Sequence, residues 1–235
     1  MTLPVAILAG GLATRLGAVT SATPKSMLVL AGRPFIAWQL EHLRAQGVEQ
    51  VVLCVGHLGE VIEAYVGNGK EWGLTVQYST DGDTLRGTGG AIRRALPLLG
   101  PEFFVLYGDS FLPVELAPIE RAYFASSMPV LMTVMLNQNR WDRSNVEFAG
   151  QHIVVYDKFS PTPRMQHIDY GLAVLNATAF EAFAPDTTFD LALYYTLAAR
   201  SGTLAGHEVL DRFYEIGSLQ GLNETEIYLE SKGRP

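Results

Sequence analysis

The sequence has one cysteine, Cys54, and this shortage excludes an internal disulfide and a metal site built from several thiolates. Cys54 lies inside the apolar run 51–55, so we expect a buried thiol rather than a nucleophile. No apolar stretch approaches the ~18 continuous residues of a membrane span. No basic leader with a cleavage site precedes the first predicted strand. These absences favour a soluble, cytoplasmic protein without a membrane partner.

Positive charge is also scarce, because 17 Lys and Arg residues stand against 24 Asp and Glu, for a net charge of −7. The phosphate backbone of nucleic acids requires a basic surface, so we expect no nucleic-acid partner. A small anion can still bind where a few cations are concentrated. Hydrophobic residues make up 48% of the chain and charged residues 17%, which argues against disorder. The 235 residues fit one large α/β domain or two small ones.

The most informative stretch begins with an apolar run at residues 3–9, which predicts a buried strand. Two glycines follow, Gly10 and Gly11, and then Thr14, Arg15 and Lys25. Glycines allow a sharp turn and let backbone N–H groups approach a ligand closely. The hydroxyl and the two cations supply donors for phosphate oxygens. The pattern therefore predicts a phosphate site, although a tight strand-to-helix turn with two solvated cations would also fit it.

Strand and helix patterns alternate along the chain, which indicates right-handed βαβ units and a parallel sheet. Further strands are predicted at 48–55, 74–78, 103–107 and 130–136, with a hairpin at 146–148 and 153–155. Helices are predicted at 35–46, 60–66, 92–99, 191–199 and 222–235.

Two segments beyond the first strand carry further site signals. Gly87, Gly89 and Gly90 precede the helix predicted at 92–99, and they would expose N–H groups at a positive helix end, unless the segment is only a flexible surface loop. Asp109 follows the apolar strand predicted at 103–107. An acid at the carboxyl end of a buried parallel strand points into the crevice where α/β sheets bind ligands. A cap or turn former is the alternative for Asp109.

Gly10-Gly11-x-x-Thr14-Arg15-Leu16 with Pro24-Lys25 resembles the signature of the sugar-1-phosphate nucleotidyltransferases. This family joins a nucleoside triphosphate to a sugar 1-phosphate and releases pyrophosphate. Ala13 stands where the family usually has glycine, and Ser26 where it has proline, and neither change removes a charge. The resemblance implies a three-layer α/β/α, Rossmann-like fold with a mostly parallel mixed sheet. It also implies one domain over residues 1–235, with a nucleotide half at 1–110 and a sugar half at 111–235.

The resemblance further implies roles for individual residues. Arg15, Lys25 and Lys158 would be catalytic cations, and Asp109 and Glu215 would hold Mg²⁺. Glu215 stands where the family has aspartate, and Asp211 is the alternative second ligand. The residues implied to bind the nucleotide are Leu8, Ala9, Gly10, Gly11, Thr14, Arg15, Lys25, Gly87, Thr88 and Gly89.

The implied sugar site comprises Asn145, Lys158, Asp169, Tyr170 and Gly171. The family usually places glutamate before this lysine and proline after it, and often has Asn-Gly-Gly where this chain has Asp-Tyr-Gly. These departures leave the identity of the sugar open.

The compact length and the Gly-Thr-Gly-Gly-Ala segment are most similar to the manno-heptose 1-phosphate guanylyltransferases of surface-polysaccharide synthesis. Uridylyl- or thymidylyltransferases acting on N-acetylmuramate or hexose 1-phosphate are alternatives, and so is a regulatory relative that binds without reacting. A dinucleotide-binding dehydrogenase would show Gly-x-Gly-x-x-Gly, which is missing here. A molybdopterin guanylyltransferase would have its lysine nearer the glycines. The oligomeric state cannot be read from the sequence, and a homo-oligomer stays open.

Overall fold

The computed structural model describes residues 2–11, 23–82 and 84–233. Thr14 and Arg15, which the sequence assigned to the phosphate site, lie outside these ranges. No helix in the described ranges has the length and apolar character needed to cross a membrane.

The described residues form thirteen strands and six α-helices. The strands are β1 (Val5–Leu8), β2 (Val29–Leu30), β3 (Arg33–Pro34), β4 (Gln50–Val55), β5 (Thr75–Thr80), β6 (Glu102–Tyr107), β7 (Ser110–Phe111), β8 (Val130–Leu136), β9 (Val146–Ala149), β10 (His152–Tyr156), β11 (His167–Asn176), β12 (Leu204–Glu208) and β13 (Tyr214–Glu215). The helices are α1 (Phe35–Ala45), α2 (Gly59–Val66), α3 (Gly87–Leu99), α4 (Leu116–Ser126), α5 (Leu191–Arg200) and α6 (Leu219–Ser231). Short 3₁₀ turns occur at Lys25–Met27, Lys70–Trp72 and Ala177–Phe180.

Nine strands form one sheet in the order β5-β4-β1-β6-β11-β8-β12-β10-β9. The first four strands in this order run parallel to one another, β11 is antiparallel to β6 and β8, and β12 is parallel to β8. The predicted α/β fold with a mixed sheet is therefore confirmed. The carboxyl ends of β5, β4, β1 and β6 meet at one edge, where open α/β sheets bind their ligands.

Helices cover both faces of the sheet. Successive residues of a strand point to opposite faces, so alternating residues of β1 pack against different helices. Val5 and Ile7 of β1 belong to one apolar core, with α1, α2 and α4, whereas Ala6 belongs to a second core with α3 and α5. A third, smaller cluster lies under α6 and includes Trp38 and Ile216. Because β1 is buried on both faces, its carboxyl end is fixed in position.

The structure corrects several predicted element boundaries. Helix α3 begins at Gly87 rather than at residue 92, so the glycines form its first turn instead of a loop before it. Helix α4 and strand β12 were not predicted. Glycine weakens a strand and usually signals a turn, but Gly206 lies within β12 because the Phe148 ring occupies the space of a side chain. A Cβ at Gly206 would lie 2.5 Å from this ring.

Candidate active site

A cavity of about 220 Å³ opens at the carboxyl ends of the four parallel strands. The residues that line it include eight of the predicted site residues: Leu8, Ala9, Gly10, Gly11, Lys25, Gly87, Thr88 and Asp109. They come from four separate segments of the chain, which the parallel sheet brings to one edge. The sequence motifs thus converge on one cavity.

The first glycine pair has two different physical roles. A Cβ at Gly10 would lie 2.9 Å from the backbone nitrogen of Gly56, so the ends of β1 and β4 can approach only with glycine at this position. Among the described residues, nothing lies within 4 Å of the Cβ position of Gly11. Gly10 therefore serves packing, whereas Gly11 lines the cavity and is not crowded by any residue that the structure describes.

The second glycine segment is held by the chain itself. The N–H groups of Gly89 and Gly90 both donate to the carbonyl oxygen of Phe189, over 2.9 and 3.2 Å. A Cβ at Gly89 would lie 2.2 Å from the Phe189 ring. The expectation that Gly89 offers its N–H to a ligand is therefore wrong. Gly87 and Thr88 do line the cavity, at the positive N-terminal end of α3.

Lys25 and Asp109 form an ion pair inside the cavity, with 3.2 Å between the Lys25 Nζ and the Asp109 Oδ2. The backbone N–H of Ile216 donates to the Asp109 carbonyl oxygen over 2.9 Å. Gly108 has no room for a side chain, because a Cβ there would lie 2.6 Å from the Leu8 carbonyl oxygen. The turn that carries Asp109 is thus fastened to both β1 and the segment around β13.

Glu215 lies next to this ion pair because β13 pairs antiparallel with β7, opposite Ser110. Its carboxylate accepts hydrogen bonds from the Gly217 N–H and the Ser218 hydroxyl, at the N-terminus of α6. The Cβ position of Gly217 lies 2.9 Å from Glu215 Oε2 and 3.6 Å from both Asp109 Oδ2 and Lys25 Nζ. The two carboxylates therefore converge on one small region, whereas Asp211 is exposed.

This donor set suits Mg²⁺, which binds proteins through one or two carboxylates and takes further oxygens from phosphates and water. Within the described part of the chain, no cluster of three or more His, Cys, Asp or Glu side chains could hold a metal ion alone. Asp109 and Glu215 fit a metal that shares its coordination with a triphosphate.

The predicted sugar residues Asn145 and Asp169 contact each other. Asn145 Oδ1 accepts a hydrogen bond from the Asp169 N–H over 2.9 Å, and Asp169 Oδ1 accepts one from the Gly171 N–H over 3.0 Å. Burial raises the pKa of Asp169 to about 6, although the Gly171 N–H and the charge of Lys158 act in the opposite direction. Lys158 is exposed after β10, where the Asp157 carboxylate accepts two backbone N–H groups and forms a turn.

Tyr170 does not belong to this group. Its side chain is 1% exposed and packs in the core on the opposite side of the sheet from Asp169, edge-to-face with Phe213. Adjacent strand residues point in opposite directions, so the Tyr170 side chain faces away from Asp169, and a role of residue 170 in sugar binding stays a prediction. Gly171 instead packs against Tyr107, which lines the cavity, with a Cβ position 3.2 Å from the ring. The sugar residues and the cavity therefore meet at Tyr107.

Asp81 is a cavity residue that the sequence interpretation missed. It follows β5, is 7% exposed, and accepts a long hydrogen bond at Oδ2 from the Arg86 N–H, at 3.4 Å. Oδ1 accepts none from the described residues. Burial raises its pKa, against the lowering effects of the Arg86 N–H and the charges of Arg86 and Arg94. The signal was an acid directly after a strand, the same signal that identified Asp109.

The fold and this cavity define a nucleotide-binding α/β transferase, and comparison with known proteins gives the family. Residues 5–179 match the model of the MobA-like NTP transferase domain. A D-glycero-alpha-D-manno-heptose 1-phosphate guanylyltransferase of Campylobacter jejuni is 31% identical over 183 residues, covering 78% of this chain and 80% of the relative. An enzyme of the same name from Aneurinibacillus thermoaerophilus is 40% identical over 177 residues, covering 74% and 75%.

Solved structures agree with this fold. The crystal structure of HddC from Yersinia pseudotuberculosis complexed with GMP-PN superimposes with a TM-score of 0.82 at 22% identity, covering 97% of this chain and all of that one. The chain therefore belongs to the MobA-like NTP transferase and sugar-1-phosphate nucleotidyltransferase family.

Proposed function

We propose that this protein transfers a guanylyl group from GTP to a manno-heptose 1-phosphate and releases pyrophosphate. The observation that carries the proposal is the arrangement of two carboxylates along one edge of the sheet. Asp81 follows β5 and Asp109 follows β6, and two strands lie between them. At the usual strand spacing their strands are roughly 14 Å apart. A nucleoside with its phosphate chain spans such a distance, with the base near Asp81 and the phosphates near Lys25 and Asp109.

The preference for guanine follows from the chemistry of Asp81. The Watson–Crick edge of guanine presents two adjacent donors, N1–H and N2–H₂, and a carboxylate offers two acceptor oxygens in matching geometry. Uracil places carbonyl oxygens on both sides of a single N–H, so these oxygens would face the carboxylate. Asp81 has one oxygen without a partner among the described residues. Its position in the cavity wall suits contact with such an edge.

The reaction needs no covalent intermediate with the protein. An oxygen of the sugar phosphate attacks the α-phosphorus in line, while pyrophosphate leaves on the opposite side. The protein must align two polyanions and neutralise the charge that develops. Lys25 would bind the β- and γ-phosphates together with Arg15, and Lys158 would bind the sugar phosphate and the α-phosphate. Asp109 and Glu215 would hold Mg²⁺, which when bound neutralises phosphate charge and templates the geometry.

Similarity to the two heptose 1-phosphate guanylyltransferases supports the heptose as the acceptor. An N-acetylmuramate alpha-1-phosphate uridylyltransferase of Neisseria meningitidis is 36% identical, but over only 52% of this chain. The direct test is pyrophosphate release from the purified protein with Mg²⁺, four nucleoside triphosphates and a panel of sugar 1-phosphates. We expect the highest kcat/KM for GTP with a manno-heptose 1-phosphate. Preference for UTP or dTTP with another sugar would refute the proposal.

The non-catalytic alternative has one observation in its favour, since the Glu215 carboxylate already accepts hydrogen bonds from Gly217 and Ser218. A regulatory relative would bind GTP or sugar phosphate without releasing pyrophosphate. If the enzyme is active, Glu215→Gln should lower turnover sharply. Asp211→Asn is the matched control, because Asp211 is an exposed carboxylate only four positions away. Equal turnover of the two variants would remove Glu215 from the metal site.

A further inference from the structure

Gln39 is a polar side chain in an otherwise apolar stretch of α1. It is 2% exposed, and its neighbours from Phe35 to Leu40 are buried apolar residues. Burying an amide costs free energy unless its polar atoms are hydrogen-bonded. The Gln39 Nε2 donates to the carbonyl oxygens of Tyr107 and Ser110, over 3.2 and 2.8 Å. Because carbonyl oxygens only accept, the Nε2 end of the amide must face them, and the buried Gln39 Oε1 has no hydrogen-bond partner among the described residues.

These two carbonyl groups flank Gly108 and Asp109. Strand β6 ends at Tyr107 and β7 begins at Ser110, so the turn between them lies outside the main ladder. The Gly108 N–H donates to Leu8 and the Asp109 carbonyl accepts from Ile216. Within the described ranges, Gln39 is the one side chain that hydrogen-bonds the backbone of this turn. It ties the turn to α1 and does not itself line the cavity.

We propose that Gln39 is a positioning residue that sets the location of the Asp109 carboxylate for phosphate and metal binding. This inference rests on the proposed function, because it assumes that Asp109 acts on the nucleotide phosphates. Without these two hydrogen bonds, the Tyr107 and Ser110 carbonyl oxygens lose a common donor. We therefore expect the turn between them to shift. A displacement of about 1 Å in a catalytic group can cost 10²-fold in rate.

The chain offers a matched control in Gln46, the residue directly after the same helix. Its Nε2 donates to the carbonyl oxygen of Val114 over 3.1 Å, and its Oε1 accepts from the Leu116 N–H over 3.4 Å. This glutamine therefore fastens the start of α4 by the same chemistry, but Val114 and Leu116 do not line the cavity. A purely structural glutamine should behave as Gln46 does.

The test compares Gln39→Met with Gln46→Met in the 235-residue chain. For Gln39→Met we expect kcat to fall about 10- to 100-fold, with the KM for the sugar phosphate nearly unchanged. Removing a residue that orients a metal ligand typically weakens metal affinity about 10-fold or more. The Mn²⁺ concentration that half-saturates the protein–GTP complex, measured by electron paramagnetic resonance, should therefore rise. Gln46→Met should lower the melting temperature without changing kcat or Mn²⁺ binding.

Equal kcat and Mn²⁺ affinity in Gln39→Met and the wild type would overturn the inference, and so would equal effects of the two substitutions. If Gln39→Met does not fold, Gln39→Asn carries the same expectation, because it keeps the amide but is one methylene too short to reach both carbonyls. A wild-type protein that releases no pyrophosphate with any substrate pair would instead refute the proposed function. An active wild type with an unaffected Gln39→Met refutes only the role of Gln39.

Discussion

Replacement of Asp81 by asparagine should separate guanine recognition from catalysis. The substitution keeps the size of the side chain but exchanges one acceptor oxygen for an NH₂ donor. If the carboxylate accepts both guanine donors, the variant loses one charged hydrogen bond and leaves one guanine donor unpaired. Such a bond contributes about 1.5–3 kcal/mol. The kcat/KM for GTP should therefore fall about 10- to 150-fold, while the kcat/KM for UTP stays the same or rises.

The assay is pyrophosphate release with GTP, UTP and ITP, which is GTP without the 2-amino group. In the wild type, ITP should react more slowly than GTP because one Asp81 oxygen loses its donor. In Asp81→Asn this difference should shrink, since the bidentate contact is already broken. Asp81→Asn should melt at the same temperature as the wild type or higher, because the substitution removes a buried carboxylate that is costly to keep ionised. Unchanged selectivity among the three nucleotides would refute the assignment of Asp81.

Three further expectations follow from the site. Lys25→Ala and Asp109→Asn should each lower kcat by about 10²–10³-fold with an unchanged circular dichroism spectrum, and near-wild-type turnover would contradict their roles. Gly11→Ala should weaken GTP binding without lowering the melting temperature, whereas Gly10→Ala should destabilise the fold, as thermal melts and calorimetric titration would show. Burial raises the pKa of Asp169 to about 6, so the contribution of Asp169 to stability falls as pH rises from 4 to 6, and Asp169→Asn should remove that part of the pH dependence in urea unfolding.

The sign of the Asp169 effect follows from proton linkage. A carboxyl group whose pKa is higher in the folded state than in the unfolded state binds protons preferentially when folded. It therefore favours folding at low pH and loses this contribution as the pH rises through the folded pKa. The difference between the unfolding free energies of wild type and Asp169→Asn should change between pH 4 and 6 and stay constant above. A constant difference over the whole range would show that folding does not raise the pKa of Asp169.

Much of the nucleotide side of the site could be predicted because its signals are local. One buried strand ends just before Gly10 and Gly11, and another ends just before Asp109. Because the carboxyl ends of parallel strands meet at one edge of the sheet, the glycines and the acid are expected to lie close together. The same reasoning applied to β5 would have found Asp81. It was missed because the segment 81–84 resembles an ordinary turn.

Other features depended on contacts between distant segments, which sequence patterns do not report. Gly87 and Gly89 of α3 are required by the packing of Phe189, a residue about a hundred positions away. Gly206 lies in a strand because of Phe148. Tyr170 was assigned to a sugar through its neighbours, but the alternation along β11 sends its ring into the core. Gln39 carries no signal at all, since an amide in a helix gives no hint of which carbonyl it will meet.

The antiparallel ladder between β6 and β11 has a mechanical consequence. It runs over five residue pairs, from Leu172 opposite Leu106 to Asn176 opposite Glu102, and it joins the strand that ends before Asp109 to the strand that carries Asp169. The Phe189 carbonyl adds a second clamp on the start of α3. A wide hinge motion between the region around Asp109 and the region around Asp169 would have to break both connections. We therefore expect any enclosure of the reactants to come from loops at the rim, such as the turn that carries Lys158, rather than from bending of the sheet beneath them.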